Sequence, residues 1–453
     1  MSDAPITISL ISLGCPKNLV DSEVLIGRLW DGPFDMSSEP AGSDVVVVNT
    51  CGFIGPARDE SIETVEEMLR LKERGDVKGV VVAGCLVARL GAPLAERLPG
   101  VDAFLDLSDY SDAPDVLRRI AGRASSPGRA EAGAIFAGGG SKTAESDLGR
   151  GILTLPHTAY LRISEGCDRK CSFCAIPLIR GTQRSKPLEV LVEEAAQLAG
   201  LGVRELSLVG EETTAWGSDL GHAYGEGITE LLGALDDIEG IDWIRLLYAH
   251  PGSFRPSLVE AIRDLESVAK YVDMPVQHGD DDVLKAMKRG TPVERIRGIV
   301  RDLRDAVPFV TLRTTILVGF PGETEARFEN LMAFLEEARF ERLGCFVYSR
   351  EEGTSSYGLE GAVPTEVAEE RRDRVMTLQQ RIARERNEAL VGYELDVMVD
   401  VAGEGGTALG RTEGDAPQID SAVHLTGEGL SPGSIVIGRV TGTAGYDLEA
   451  TVA

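Results

Sequence analysis

The sequence has comparatively few basic residues. Its 453 residues include 46 Lys and Arg against 73 Asp and Glu, which gives a formal net charge of −27. This deficit excludes a protein that binds nucleic acid mainly through its overall charge, because such binding depends on basic patches; a local basic groove stays compatible with it. The acid excess suits a basic partner, although an acidic surface kept for solubility explains it as simply.

Long hydrophobic runs are also missing. No apolar segment approaches the roughly 20 residues that cross a bilayer. The first residues, MSDAPITISLISLGC, lack the basic segment and the cleavage site of a secretory signal. We therefore expect no membrane association and a cytoplasmic location, where thiols stay reduced. There, the seven cysteines are expected to be metal ligands or catalysts before they are disulfides.

Composition and periodicity divide the chain into segments, and its length favours about three domains. Residues 121–151 are so rich in Gly, Ala and Ser that they cannot bury enough apolar surface to hold one conformation, which predicts a flexible linker. A charged amphipathic helix is predicted at 365–390, and the pattern changes to short β-prone runs near Arg386. The predicted domains are 5–120, 152–385 and 386–453.

The fold class predicted from these patterns is α/β. In the first domain, apolar runs at 6–12, 44–49 and 78–83 indicate buried parallel strands with helices between them, typical of a doubly wound domain. The middle domain has six strand candidates, each followed by a helical stretch, which predicts a partial (βα)6 barrel. The last domain reads as about five strands and predicts a small antiparallel β-barrel.

The sharpest local feature is the motif Cys167-x3-Cys171-x2-Cys174, directly after the first strand of the middle domain. Three thiolates suit a 4Fe–4S cluster and leave one iron open for a substrate or cofactor. A zinc site is the alternative, but structural zinc needs four ligands, and no fourth Cys or His follows at finger spacing. Chemically inert thiols are the other alternative.

A second set of cysteines lies at separate places in the first domain. Cys15, Cys51 and Cys85 each follow the end of a predicted parallel strand, and each has a glycine beside it. In a doubly wound sheet, the loops beyond adjacent strand ends converge on one crevice, so the three thiols can meet there. The alternative is three ordinary buried cysteines. Cys345 is left over and is expected to pack in the core.

The spacing around Cys171 resembles that of the radical S-adenosylmethionine (SAM) superfamily. With it, the motifs SLGCPKNLVDSE, NTCGFI, SEGCDRKCSFCAIPLIRG, MPVQHGDDDVLKAMKRG and LVGFPGETE resemble the methylthiotransferase family. The resemblance implies an N-terminal methylthiotransferase domain, a radical SAM core and a terminal barrel called TRAM. It also implies SAM as cofactor and two 4Fe–4S clusters, on Cys15, Cys51 and Cys85 and on Cys167, Cys171 and Cys174. The first cluster would supply or hold sulfur, and the second would generate a 5'-deoxyadenosyl radical.

Further SAM contacts follow from the same resemblance. Glu211 and Glu212 end the second strand of the core, where the superfamily recognises the amino group of methionine, and either could act; an exposed acidic turn is the alternative. Gln277 and Arg313 could face the barrel interior, although a core or capping role explains each equally well. No side chain is assigned as a base, because radical hydrogen abstraction needs none.

The family has two branches, which modify either the β-carbon of an aspartate in the twelfth small-subunit ribosomal protein or an adenosine in transfer RNA. SLGCPKNLVDSE and the tail motif GRTEGDAPQIDSAVHL resemble the ribosomal-protein branch. From Arg386 onward, acidic residues also far outnumber basic ones, which favours a basic protein over RNA. The resemblance further implies an external electron donor and a sulfur donor. The alternatives are a transfer-RNA methylthiotransferase and, outside this class, a non-catalytic iron–sulfur scaffold or electron carrier.

Overall fold

The computed structural model describes residues 5–107, 110–122, 135–137 and 146–453. By its internal contacts the chain divides into two compact units. The first comprises Met1–Leu153, Glu165–Asp168 and Ala175–Arg184; the second comprises Thr154–Ser164, Arg169–Cys174 and Ser185–Ala453. The linker predicted at 121–151 lies largely outside the described residues.

A six-stranded parallel sheet forms the centre of the first unit. Its strands are β1 (Ile6–Ser12), β2 (Phe34–Ser37), β3 (Val45–Thr50), β4 (Gly79–Gly84), β5 (Ala103–Leu105) and β6 (Ile135–Ala137). They lie in the order β2-β1-β3-β4-β5-β6, so the direction in which strands are added reverses between β1 and β3. Such a reversal creates a crevice at the carboxyl ends of the two strands.

Helices cover both faces of this sheet, which confirms the doubly wound prediction. They are α1 (Pro16–Leu29), α2 (Gly55–Arg74), α3 (Cys85–Leu90), α4 (Pro93–Arg97), α5 (Ala113–Ala121) and, after a return of the chain, α6 (Ile176–Ile179). On one face α1 and α5 pack on Val45 and Val47. On the other, α2, α3 and α4 pack on Val46 and Val48. Because both sides of β3 are buried, its sequence begins with four consecutive valines.

The second unit contains another six-stranded parallel sheet. Its strands are β7 (Thr158–Arg162), β10 (Glu205–Val209), β11 (Trp243–Leu246), β12 (Val268–Asp273), β13 (Thr311–Val318) and β14 (Arg342–Val347), in the order β14-β13-β12-β11-β10-β7. A two-residue ladder joins β8 (Ser164–Glu165) to β9 (Arg184–Ser185). The helices are α7 (Leu188–Gly200), α8 (Gly227–Asp236), α9 (Pro256–Asp264), α10 (Asp281–Ala286), α11 (Val293–Ala306), α12 (Glu325–Ala338) and α13 (Thr365–Ala389). The six strands of the large sheet match the six strand candidates of the sequence.

The chain ends in a closed five-stranded barrel. Its strands are β15 (Glu394–Ala402), β16 (Thr407–Thr412), β17 (Val423–Thr426), β18 (Ile435–Ala444) and β19 (Asp447–Val452). Four pairings are antiparallel, as predicted, but β17 and β19 run parallel. A closed ring with an odd number of strands cannot alternate direction throughout, so one parallel pair is required.

Buried ion pairs attach this barrel to the beginnings of the core strands. Arg411 donates to Glu205, the first residue of β10, at 2.8 Å, and Glu205 also accepts from Arg245 at 2.8 Å. Asp415 accepts from Arg342, the first residue of β14, at 2.7 Å. These contacts lie at the amino ends of the strands. The cysteine motif of residues 167–174 instead comes after the carboxyl end of β7. No helix in the described part of the chain is both long and apolar enough to cross a membrane.

Candidate functional site

Three thiols of the first unit follow the carboxyl ends of β1, β3 and β4. Cys15 is the residue before α1, Cys51 follows β3 directly, and Cys85 is the first residue of α3. β1 and β3 are neighbours in the sheet and flank its reversal point. The loops that carry the thiols therefore enter one crevice, where such sheets bind their ligands.

Close backbone approach shows that these loops touch. A Cβ atom added to Gly14 would lie 3.1 Å from Cys51 Cβ, and one added to Gly52 would lie 2.5 Å from the carbonyl oxygen of Cys85. Each loop thus packs against the next through a glycine that no larger residue could replace without displacing backbone or a thiol. The loops that carry the three cysteines therefore contact one another, and the role of the three thiols as cluster ligands stays a prediction.

Arg180 lies beside this group of thiols. Its Nη2 donates to Cys85 Sγ at 3.3 Å and to Asp21 Oδ2 at 2.6 Å, and its Nη1 donates to Glu165 Oε2 at 3.1 Å. Burial raises the pKa of Cys85 to about 12, although the positive charge of Arg180 opposes the rise. Burial also raises the pKa of Cys51. Without a metal these thiols hold their protons, and metal binding must release them.

The donor set of the crevice fits a 4Fe–4S cluster. Three cysteines on the ends of rigid strands supply three thiolates, which is the ligand set of a cluster with one open iron. The glycines beside Cys15 and Cys51 keep the loops close without filling the space between the thiols. Within the described residues, no group of three or more His, Cys, Asp or Glu side chains is arranged to hold a single metal ion.

The other three cysteines lie on the loop that follows β7 and β8. In the first unit, the Cys167 amide donates to the carbonyl of Gly181 at 3.1 Å. In the second unit, the Cys174 amide donates to the carbonyl of Cys171 at 3.2 Å, so these two residues form one turn. Gly166 has a φ of +71°, and a Cβ there would lie 2.1 Å from the Thr182 carbonyl oxygen. The loop therefore requires glycine immediately before its first cysteine.

The end of α10 holds the turn of Cys171 in place. The amide of Ser172 donates to the carbonyl of Met287 at 2.9 Å, and its hydroxyl donates to the carbonyl of Ala286 at 2.9 Å. Arg289 Nη1 donates to Cys171 Sγ at 3.4 Å. The hydrogen bonds from Ser172 thus fix one side of the turn, and the sulfur of Cys171 accepts a hydrogen bond from a charged guanidinium.

The two glutamates predicted to contact SAM have different surroundings. Glu212 is buried and accepts two hydrogen bonds from Arg169, at 2.7 and 2.9 Å, and one from Tyr224 at 2.9 Å; it is also hydrogen-bonded to Ser253. Since Arg169 belongs to the cysteine motif, Glu212 positions that loop. Glu211 is half-buried at the end of β10.

The remaining predicted contacts are placed as follows. Gln277 has a φ of +74°, and its backbone bridges to the end of β13 through Thr315 and Leu317. Such conformations are strained for a residue other than glycine and are concentrated at ligand sites. Arg313 pairs with Asp273 at 2.8 Å and with Asp420 of the terminal barrel at 3.3 Å. Burial would lower the pKa of Arg313, but these carboxylates outweigh it and raise the pKa.

Sequence reasoning missed Arg180 and Arg289, each of which donates a guanidinium hydrogen bond to a cysteine sulfur. Arg180 is the second-last residue of the motif SEGCDRKCSFCAIPLIRG, and Arg289 is the second-last residue of MPVQHGDDDVLKAMKRG, so both lie inside recognised motifs. Their basic character was the available signal. The partner sulfur of Arg180 is 95 residues away in sequence and that of Arg289 is 118 residues away, and only the fold connects them.

Comparisons with known proteins identify the class. Residues 161–335 match the Radical SAM superfamily, residues 7–106 match the uncharacterized protein family UPF0004, and residues 391–453 match the TRAM domain. Among solved structures, the radical S-adenosylmethionine methyltransferase TsrM from Kitasatospora setae aligns with a TM-score of 0.55 at 15% identity, over 88% of this chain and 79% of that one. That likeness shows the fold alone. Together with the family matches, it is consistent with a radical SAM enzyme.

The relatives specify the family within this class. A protein of Anaeromyxobacter sp. (strain K) named ribosomal protein uS12 methylthiotransferase RimO is 44% identical over 97% of this chain and 92% of its own length. Proteins of the same name from Myxococcus xanthus and Geobacter sulfurreducens are 44% and 40% identical, over 99% of this chain and over 92% and 99% of their own lengths. The chain belongs to the RimO family of radical SAM methylthiotransferases.

Proposed function

We propose that the protein adds a methylthio group to the β-carbon of an aspartate in ribosomal protein uS12. The observation that carries this proposal is that the loops of Cys15, Cys51 and Cys85 contact one another. The same chain also has the Cys167-x3-Cys171-x2-Cys174 motif. Sulfur insertion at an unactivated carbon needs both a radical source and a sulfur site, and the two triads provide ligands for both. The names of the full-length relatives support the substrate.

The chain's own residues bind and orient the cofactors in this proposal. Cys167, Cys171 and Cys174 hold one 4Fe–4S cluster, and Cys15, Cys51 and Cys85 hold the other. When bound, the clusters and SAM supply the radical, the sulfur and the methyl group. The protein contributes the positions of six thiolates and the exclusion of water around the buried Cys85.

Among the predicted SAM contacts, we favour Glu211 for the amino group of methionine. Glu211 lies half-buried just beyond the carboxyl end of β10, where barrel enzymes bind their ligands. The carboxylate of Glu212 is buried and is bound by Arg169, Tyr224 and Ser253. Gln277 is a second contact, supported by its strained backbone beyond the carboxyl end of β12, where it bridges to β13. Arg313 ranks last, because its guanidinium already pairs with two carboxylates.

Two further components complete the proposal. The reaction consumes electrons and sulfur, so an external electron donor and a sulfur donor must serve the protein. A ribosomal-protein substrate and thiol ligands that must stay reduced both suit the cytoplasm, which we propose as the location.

Anaerobic reconstitution with iron, sulfide, SAM and a reductant tests this function. Purified uS12 and transfer RNA are offered in parallel, and mass spectrometry measures methylthio groups on each. We expect modification of one aspartate in uS12 and none of transfer RNA; modification of transfer RNA alone would overturn the substrate. Replacing Cys15, Cys51 or Cys85 with Ala should abolish sulfur insertion and leave SAM cleavage to 5'-deoxyadenosine. Sulfur insertion that survives these changes contradicts the first cluster.

A further inference from the structure

We propose that Arg289 is the counter-ion of the cluster held by Cys167, Cys171 and Cys174, and that it raises the reduction potential of that cluster. The inference rests on the proposed function, because it takes these three cysteines as cluster ligands. Arg289 is a positioning and tuning residue here, since it acts through a ligand sulfur.

The guanidinium of Arg289 is buried next to a cluster ligand. The residue is 7% exposed and follows α10, whose last turn also binds the cysteine loop through Ser172. Nη1 donates to Cys171 Sγ at 3.4 Å, and Nη2 donates to the carbonyl of Pro275. Nε is buried without a hydrogen-bond partner. The guanidinium group is therefore held in place by these two hydrogen bonds, one of which is to the Cys171 sulfur.

Within the described residues, no carboxylate pairs with this charge. The hydrogen-bond partners of Arg289 are the sulfur of Cys171 and the carbonyl oxygen of Pro275. The positive field reaches His250, whose pKa is lowered by burial and by the charges of Arg289 and Arg169. A buried charge is costly unless an opposite charge compensates it. A cluster with three thiolate ligands is such an opposite charge.

The arginine beside the other triad has a different charge balance. Arg180 also donates to a cysteine sulfur, Cys85 Sγ, at 3.3 Å, but it pairs with Asp21 at 2.6 Å and with Glu165 at 3.1 Å. Its charge is thus neutralised within the first unit. In each triad an arginine N–H donates to a cysteine sulfur. Arg180 also pairs with carboxylates, whereas Arg289 pairs with none in the described part of the chain.

The charge and the hydrogen bond both favour the reduced cluster. Reduction adds one electron and no proton, so the more negative state gains more from a nearby cation in a low-dielectric site. Hydrogen bonds to ligand sulfurs act in the same direction and are among the known determinants of cluster potentials. Arg289 therefore makes it easier for the external donor to reduce this cluster.

The test uses the full-length chain with Cys15, Cys51 and Cys85 changed to Ala, so that one cluster is measured. Arg289→Gln removes the charge, Arg289→Lys keeps it, and Arg297→Gln is the control. Arg297 lies on α11, is 35% exposed and pairs with Glu337, so the control removes one positive charge that has a carboxylate partner of its own. Iron content and an EPR-monitored redox titration are measured for each protein.

We expect Arg289→Gln to shift the midpoint potential to lower values, with Arg289→Lys shifted less and Arg297→Gln unchanged. If Arg289→Gln binds no iron, retention of iron by Arg289→Lys supports the counter-ion. Equal midpoint potentials for Arg289→Gln and Arg297→Gln would overturn the inference about Arg289 and leave the cluster assignment intact. Loss of iron from both Arg289 variants would do the same. A parent chain that takes up no cluster overturns the cluster assignment as well.

Discussion

Adjacent residues of the same type can have opposite roles, as the two glutamates at the end of β10 illustrate. The Glu212 carboxylate is 2% exposed, and its bidentate partner Arg169 is 27% exposed. Its contacts lie within the protein and tie the cysteine loop to the strand end. Glu211, one position earlier, is half-buried at the same strand end, beyond which barrel enzymes bind their ligands. We therefore expect the two to respond differently to loss of charge.

Glu211→Gln is expected to weaken SAM binding roughly tenfold or more, because a hydrogen bond to a charged group contributes about 1.5–3 kcal/mol. Glu212→Gln is expected to lower the free energy of unfolding by about 3 kcal/mol, since it leaves Arg169 without its anion. Equilibrium binding of SAM and urea denaturation measure the two effects, and each variant is the control for the other. A Glu212→Gln protein of normal stability with weakened SAM binding would reverse the assignment.

At the scale of elements, the predictions succeeded where a single strand or helix determines its own pattern. The strand Val45–Thr50 is buried on both faces, and the four consecutive valines with which it begins indicate this. The strands Phe34–Ser37 and Ala103–Leu105 were missed, because four and three residues are too short to show a period and half of Phe34–Ser37, at the sheet edge, is polar. The contact between the loops of Cys15, Cys51 and Cys85 was predictable from the order of the strands, because all three residues follow strand ends.

Contacts between distant elements could not be predicted in this way. Glu205 and Arg411 are 206 residues apart, and neither stands in a local motif that names the other. Arg313 illustrates the same limit: a basic residue on a core strand suggests a ligand, but its partners Asp273 and Asp420 come from another strand and from the terminal barrel. Sequence periodicity carries no information about such pairs.

The buried pairing of Glu205 predicts a pH-dependent stability. Burial alone would raise the pKa of Glu205, but Arg245 and Arg411 outweigh it and lower the pKa below 4.5. The contribution of this carboxylate is therefore present above about pH 4.5 and is lost as the pH falls through the lowered value. At pH 7, Glu205→Gln should cost about 3–5 kcal/mol, because it leaves two buried arginines without their anion.

Urea denaturation at pH 7 and at about pH 3.5 measures this contribution, and the difference between wild type and Glu205→Gln should shrink at the lower pH. Glu385→Gln on α13 is the control. Glu385 also pairs with arginines, but its side chain is 39% exposed, so its change should leave stability nearly unaffected. A wild-type advantage that is the same at both pH values contradicts the role of Glu205.

At the scale of the whole molecule, some of the excess acidic residues form ion pairs within the protein and others are exposed on its surface. The net charge of −27 suggested a basic partner. In the terminal barrel, however, Asp400 pairs with Arg411, Asp415 with Arg342 and Asp420 with Arg313, so part of the local excess is used in packing. The charge available to a partner is that of the exposed acids alone.

Exposed acids of the terminal barrel include Asp396, Glu404 and Glu428. If they attract the basic substrate, changing all three to their amides should slow association with uS12 roughly tenfold at low ionic strength, and added salt should remove the difference. Stopped-flow association rates measure this. The control replaces Glu189, Glu193 and Glu239, exposed acids of the core, and alters net charge equally. Equal slowing in both triple variants would mean that overall charge attracts the substrate and that the terminal barrel has no special part in it.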